Sequence, residues 1–158
     1  MFKKTVLFLF VSFLFAACKK TDTGCGYTDV NVVAPASEIE TLKAYMDGAN
    51  PAAVQHPSGL FYEIISPGSG TIPAVCSTIT VKYSGYLTNG TKFDENLTGF
   101  TFTLGGLILG WQKGIPLIKK GGKINLSVPP SLGYGNTANG SIPANSILLF
   151  EIELLEVQ

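Results

Sequence analysis

Histidine is nearly absent from this chain: one residue, His56, among 158. An imidazole-based triad or a Cys/His metal site would have to be built on that residue alone, with the cysteines distant from it in sequence. In the context Gln55-His56-Pro57-Ser58-Gly59 it reads as an exposed turn residue, and no metal ligand set is expected. Charge is also scarce. Charged residues make up 14% of the sequence, 11 lysines and arginines against 11 aspartates and glutamates. The lysine pairs Lys19-Lys20 and Lys119-Lys120 are isolated, which leaves no basic stripe for nucleic acid. The glycines of "SLGYGNTANG" lack a Gly-Lys-Ser/Thr ending and open no helix, so they predict a flexible flap and no phosphate loop. Glu95 beside Asp94 faces the other way along a strand, which excludes an acid-base couple of the two. No cofactor of any kind is expected.

The amino-terminal end carries a processing signal. Met1-Phe2-Lys3-Lys4 is a short basic start, Val6 to Ala17 is almost unbroken apolar sequence, and Ala16-Ala17-Cys18 closes it with small residues. The apolar run falls well short of the roughly 20 residues needed to span a bilayer, so a signal peptide over 1–17 is expected. Leu14-Phe15-Ala16-Ala17-Cys18 resembles a lipobox, which would make Cys18 the lipid-bearing first residue of a mature protein held on a membrane of the bacterial cell envelope. The other reading is ordinary cleavage near Ala17 with Cys18 a bystander. Removal of Lys3 and Lys4 leaves a mature charge of about −2.

With Cys18 set aside, Cys25 and Cys76 form an even pair in an exported chain, and a disulfide between them is predicted. The alternative is a buried free Cys76 with an exposed Cys25.

Along the mature chain, residues 18–36 are polar and aperiodic apart from Val30, Val32 and Val33, and read as a tether with one short extended stretch. Ser37 with Glu40 has the form of a capping box. It opens a predicted helix of about ten residues whose apolar face is Ile39, Leu42, Tyr45 and Met46, ending near Gly48. From Leu60 onward the period becomes two: Leu60-Tyr62-Ile64, Ile79-Val81-Tyr83, Ile124-Leu126-Val128 and Leu148-Phe150-Ile152-Leu154 alternate with mostly polar residues. Asn89-Gly90 predicts a two-residue hairpin turn. One short helix fits after Gly110-Trp111, with Pro116 tolerable in its first turn. These elements predict an α+β domain.

The remaining signal is a set of aromatic and branched apolar residues accompanied by one lone carboxylate, Asp94. From about Ser58 to Gln158 the pieces "VKYSGYLTNGTKFDEN", "FTFTLG" followed by "LILGW", "KKGGKINLSVPPSLGYG" and "SIPANSILLFEIELLEV" occur in order. Their sequence and spacing resemble the FKBP-type peptidyl-prolyl isomerase family. The resemblance implies a twisted antiparallel sheet of five or six strands wrapped around one short helix. It also implies a pocket in which Trp111 floors the prolyl ring, with Tyr83, Phe93, Phe100, Leu107, Ile108 and Phe150 as walls. By the same resemblance Asp94 sits at the rim held by Tyr83, Tyr134 offers its hydroxyl, the Ile108 N–H donates to a substrate carbonyl, and Ile142 closes the side facing the flap. Asp94, Tyr134 and Trp111 are the implied catalytic residues.

The expected organisation is a signal peptide over 1–17, a lipid-anchored tether over 18–36, a helix and linker over 37–57 and an isomerase domain over 58–158. The expected function is prolyl isomerisation in exported proteins. Implied partners are proline-containing polypeptides, ligands of the tacrolimus and rapamycin type, and a lipid membrane through Cys18. A module that uses the pocket, tether or helix to hold a partner or act as a chaperone without turnover is the second reading.

Overall fold

The computed structural model describes residues 24–158; the signal segment, Cys18 and Lys19-Lys20 lie outside the described residues. Six strands form one antiparallel sheet: β1 (Val54–Gln55), β2 (Phe61–Ser66), β3 (Thr78–Leu87), β4 (Lys92–Thr103), β5 (Lys123–Val128) and β6 (Leu148–Val157). Their spatial order is β1-β2-β5-β6-β3-β4. Helix α1 (Ala36–Ala49) precedes the sheet and α2 (Leu109–Gly114) crosses between β4 and β5.

The period-two reading identifies the core face. Ile79, Val81, Ile124, Leu126, Val128, Leu148, Ile152 and Leu154 are all buried in one cluster together with Trp111 and Ile115 from the crossing segment. β2 behaves differently from expectation. Leu60 joins this cluster, yet the next residue, Phe61, is also buried, in a second cluster with Leu42 and Met46 of α1. Successive strand residues point to opposite faces, so α1 covers the outer face that the sequence pattern left to solvent. Asn50, just past α1, and Asn125 of β5 both donate to Glu63, at 2.7 and 3.3 Å, and tie the end of α1 to the sheet.

The capping box does not form. Pro35 occupies the N-cap, and its carbonyl accepts from the N–H groups of Glu38 and Ile39. A proline there leaves no N–H to satisfy and starts the helix a residue before Ser37. Glu38, in the first turn, accepts instead from the Ser131 N–H at 2.9 Å.

The β3–β4 connection is longer than two residues. Gly90 donates to Leu87, and Leu87 donates to Thr91, so Thr88-Asn89-Gly90 form a three-residue loop. Gly90 stands at φ +84°, which suits glycine at the bulge position that closes such a loop.

Two glycines on α2 set its distance from β5. A Cβ on Gly110 would lie 2.5 Å from Val128 Cγ1, and one on Gly114 would lie 2.5 Å from Leu126 Cδ1. Four residues apart, they share one helix face, and their lack of side chains lets the helix settle onto the sheet with Trp111 between them pointing into the core. α2 then passes into a 3-10 turn, Ile115–Leu117, and Pro116 falls in the first turn of that segment instead of the first turn of α2. Gly110→Val should cost about 1 to 3 kcal/mol, as overpacking of a filled core does. Chemical denaturation should show a lowered midpoint with an unchanged slope, since the same surface is exposed on unfolding.

The segment before α1 is not a free tether from residue 24 onward. Ala34 is buried and its N–H donates to the Ser58 carbonyl at 2.9 Å, Val32 packs on the main core, and Cys25 is joined to Cys76 with Cα atoms 5.7 Å apart.

Candidate functional site

A cavity of about 140 Å³ opens between the sheet and α2, lined by Tyr83, Phe93, Asp94, Phe102, Leu107, Ile108, Trp111, Tyr134 and Phe150. Its walls are aromatic rings meeting edge to face. Trp111 lies 5.1 Å from Tyr83 at 81°, 5.3 Å from Phe150 at 86°, and 6.3 Å from Phe102 at 86°. Phe93 meets Phe150 at 5.6 Å and 88°. Such pairs match positive ring edges to negative faces and hold each other's orientation, so the cavity stays open and its shape is fixed.

Phe93 and Asp94 are consecutive, and on a regular strand only one of them could face the cavity. The ladder between β3 and β4 shifts here: Gly85 opposes Asp94 while Tyr86 opposes Lys92, leaving Phe93 as an extra residue. This bulge aims both side chains at the site. Gly85 makes room for them, because a Cβ there would come within 2.6 Å of the Phe93 ring and 3.2 Å of Phe150.

Asp94 accepts a hydrogen bond from the Tyr83 hydroxyl at 2.7 Å. Burial first, then that hydrogen bond and the nearby charges of Asp94 and Tyr134, push the Tyr83 hydroxyl well above the ordinary tyrosine pKa. The phenol therefore stays protonated as a donor throughout the neutral range. Because the folded state holds this proton more tightly than the unfolded chain, stability is kept below the ordinary tyrosine pKa and falls as pH rises above it. Asp94 is thereby fixed at the mouth as an acceptor. Ile108, in extended conformation ahead of α2, has φ −57° and ψ 149°, and among the described residues its N–H meets no intramolecular acceptor. The Trp111 Nε1 is buried and likewise without a partner among the described residues. The site thus combines an apolar floor with a few polar groups at its edge.

Eight of the residues expected here line the cavity: Asp94, Tyr134, Trp111, Tyr83, Phe93, Leu107, Ile108 and Phe150. Two expected ones do not. Phe100 is half exposed and stacks on Phe102 at a centroid distance of 4.6 Å, which leaves Phe102 as the wall residue. The ladder is irregular just before Phe100, where Val81 opposes Phe100 and Tyr83 opposes Asn96, so that residues 97–99 loop out. Asn96 Oδ1 closes that loop by accepting from the N–H groups of Thr98 and Gly99. Ile142 is buried in the main core and hydrogen-bonded through its backbone to Asn139, where it anchors the base of the flap without touching the cavity. Phe102 could have been found by parity, since it lies two residues from Phe100 on the same face.

His56 opens a turn, its carbonyl accepting from the Gly59 N–H at 2.8 Å, but it is not exposed. It is half-buried, its Nδ1 accepts from the Ser58 N–H at 3.1 Å, and it sits edge-on to Tyr62. Burial, and then the charge of Lys113, hold it below the usual imidazole pKa, so it is neutral at pH 7. Among the described residues no cluster of metal-ligating side chains occurs, and no helix is long and apolar enough to cross a membrane.

A sequence model of the FKBP-type peptidyl-prolyl cis-trans isomerase family matches residues 70–155. The chain is 50% identical over 105 residues to the isomerase FkpA of Buchnera aphidicola subsp. Schizaphis graminum, covering 64% of this chain and 42% of that one. It is 43% identical over 104 residues to FkpA of Escherichia coli K12, covering 64% and 38%. It therefore spans about two fifths of the length of these curated relatives. The crystal structure of Escherichia coli FkpA superposes with a TM-score of 0.70 at 37% identity, covering 78% of this chain and 58% of that one. A peptidyl-prolyl cis-trans isomerase structure from Pseudomonas syringae pv. tomato gives 0.69 at 29% identity, covering 81% and 99%.

Proposed function

The chain belongs to the FKBP-type peptidyl-prolyl cis-trans isomerase family, and from that premise we propose that it catalyses rotation about X-Pro bonds in exported polypeptides. The observation that carries the proposal is the aromatic cavity floored by Trp111, with the Tyr83–Asp94 pair at its mouth. Peptide resonance sets a rotation barrier of about 18 to 20 kcal/mol, and unaided X-Pro bonds take tens to hundreds of seconds to interconvert. No covalent bond needs to break. As the amide twists, its nitrogen becomes pyramidal and its carbonyl loses charge delocalisation, so a dry apolar cradle favours the twisted form over the planar one. The prolyl ring rests on Trp111 between Phe93 and Phe150, the Ile108 N–H donates to a substrate carbonyl, and Tyr134 contributes its hydroxyl at the rim. Asp94, oriented by Tyr83, faces the rotating carbonyl.

Because solvation and shape carry the acceleration, activity should be nearly flat from about pH 6 to 8. A general acid or base would supply about 10² to 10⁴-fold and a bell-shaped profile. Tyr83 titrates only above the ordinary tyrosine range, in agreement with a flat profile. Asp94→Ala should give a partial loss of kcat/KM with the fold intact, in a coupled assay on a proline-containing tetrapeptide. Tacrolimus or rapamycin should compete with peptide for the same cavity.

We assign the isomerase domain to 58–158, the helix and linker to 37–57 and the tether to 18–36, the part of that tether from residue 24 onward being docked through Cys25, Val32 and Ala34. The location we propose is the bacterial cell envelope, with Cys18 acylated after removal of residues 1–17. Cys18→Ser should release the protein from the membrane fraction or stall its maturation. Unchanged fractionation and processing would count against the anchor. An oxidising compartment also suits the Cys25–Cys76 bond.

A further inference from the structure

We propose that Tyr27, at the start of the segment docked ahead of α1, is a positioning residue for the substrate-binding Ile108 N–H; this rests on the isomerase reading of the cavity. The wall of the cavity at Leu107 and Ile108 is irregular backbone. It follows the 3-10 turn Leu104–Gly106 and precedes α2, so no regular ladder holds it. Three contacts fix it from behind. The Tyr27 ring lies directly on Gly105 and Gly106: a Cβ on Gly105 would fall within 2.6 Å of the Tyr27 Cβ, and one on Gly106 within 3.2 Å of its hydroxyl. Only a glycine at 105 admits the ring this close to the backbone. Gln112 donates from its side-chain amide to the carbonyls of Gly105 and Leu107, at 3.1 and 2.7 Å. The N–H groups of Leu104 and Gly105 donate to the carbonyls of Ser77 and Val75, on either side of Cys76.

The ring is itself held at both ends. Two residues before it, Cys25 is bonded to Cys76, and two residues after it, Asp29 pairs with Lys113 on α2. The disulfide thus ties Tyr27 to the same short segment that hydrogen-bonds the 3-10 turn, and the ion pair ties it to the helix that begins right after Ile108. Tyr27 closes the back of the wall whose front binds substrate. The closest contact is made by the Cβ and ring carbons on Gly105, so the ring and not its hydroxyl carries the role.

The test uses the full chain in non-ionic detergent, as wild type, Tyr27→Ala and Tyr27→Phe, with three readouts: melting temperature, kcat and KM on a proline tetrapeptide, and amide hydrogen exchange at Gly105 and Leu107, whose N–H groups are hydrogen-bonded within the wall, against β5 and β6. Freed of the ring, the wall should aim its N–H less well, and kcat/KM in folded Tyr27→Ala should fall about five-fold, the equivalent of one neutral hydrogen bond. The loss should sit in KM. Exchange at Gly105 and Leu107 should quicken while β5 and β6 stay protected, and Tyr27→Phe should restore both. A folded Tyr27→Ala chain with wild-type KM and wild-type exchange at Gly105 and Leu107, or one with a lowered melting temperature as its only change, would overturn the proposal. If the wild-type chain shows no isomerase activity, the functional reading fails, and the exchange comparison alone then decides whether Tyr27 holds the wall.

Discussion

Trp111→Ala should lower kcat/KM for a proline-containing peptide by about 30- to 100-fold, equivalent to ~2 to 3 kcal/mol of lost apolar contact with the prolyl ring. The indole is the one side chain that touches three other walls of the cavity, Tyr83, Phe102 and Phe150, so its removal takes away the floor and frees the rings it holds. Trp111 is also core, and its truncation should cost about 3 to 5 kcal/mol of stability. Activity must therefore be read on protein whose near-ultraviolet circular dichroism and denaturation profile show it folded. Phe93→Ala serves as the second variant. Phe93 is only partly buried and stands on a bulge at the end of its strand, so its loss should weaken turnover about ten-fold, equivalent to about 1.4 kcal/mol of buried apolar contact, with little effect on folding. A folded Trp111→Ala or Phe93→Ala protein with undiminished kcat/KM would show that the cavity is not where the bond turns.

The second large effect concerns stability. Replacing both Cys25 and Cys76 by serine should cost about 4 kcal/mol, the chain-entropy value for releasing a cross-link between residues 51 apart in sequence. For a single small domain this is a large share of the total, typically about 5 to 15 kcal/mol. The bond also sets the position of Tyr27 and, through Asp29 and Lys113, ties the segment to the last turn of α2. Urea titrations of wild type and of the double serine variant, under oxidising conditions, read the difference directly. Equal midpoints, or two freely alkylatable thiols in protein taken from its native envelope, would contradict it.

Much of this architecture can be read from periodicity because burial on one face of a sheet leaves a period-two signature. β3, β5 and β6 carry it cleanly, and their apolar positions are the core. The signature fails where a strand is covered on both sides. Phe61 is apolar in an outward position because α1 lies over it, and nothing local to β2 announces a helix packed from 20 residues upstream. It fails again at irregularities. The bulge at Phe93 brings both Phe93 and Asp94 to the cavity, which strict alternation along β4 forbids. The family resemblance supplied the remaining site residues because Asp94, Trp111 and Tyr134 lie in motifs with fixed spacing. The docking of residues 24–34 was legible only at its disulfide, from the even cysteine pair; its other contacts, a ring on Gly105 and an ion pair, have no period. Local capping signals misled for a related cause. Ser37 and Glu40 have the pattern of a capping box, but Pro35 starts the helix earlier and Glu38 is drawn to the Ser131 N–H across the fold.

The central claim is that the Trp111 cavity turns prolyl bonds without acid-base chemistry. The measurement that tests it most directly is the isomerisation rate of a proline tetrapeptide by the full chain between about pH 6 and 8, with and without tacrolimus. The account predicts catalysis that is nearly independent of pH, abolished competitively by the ligand and strongly reduced in Trp111→Ala. A folded protein that neither accelerates the rotation nor binds tacrolimus would contradict it and leave a module that holds its partners without turnover.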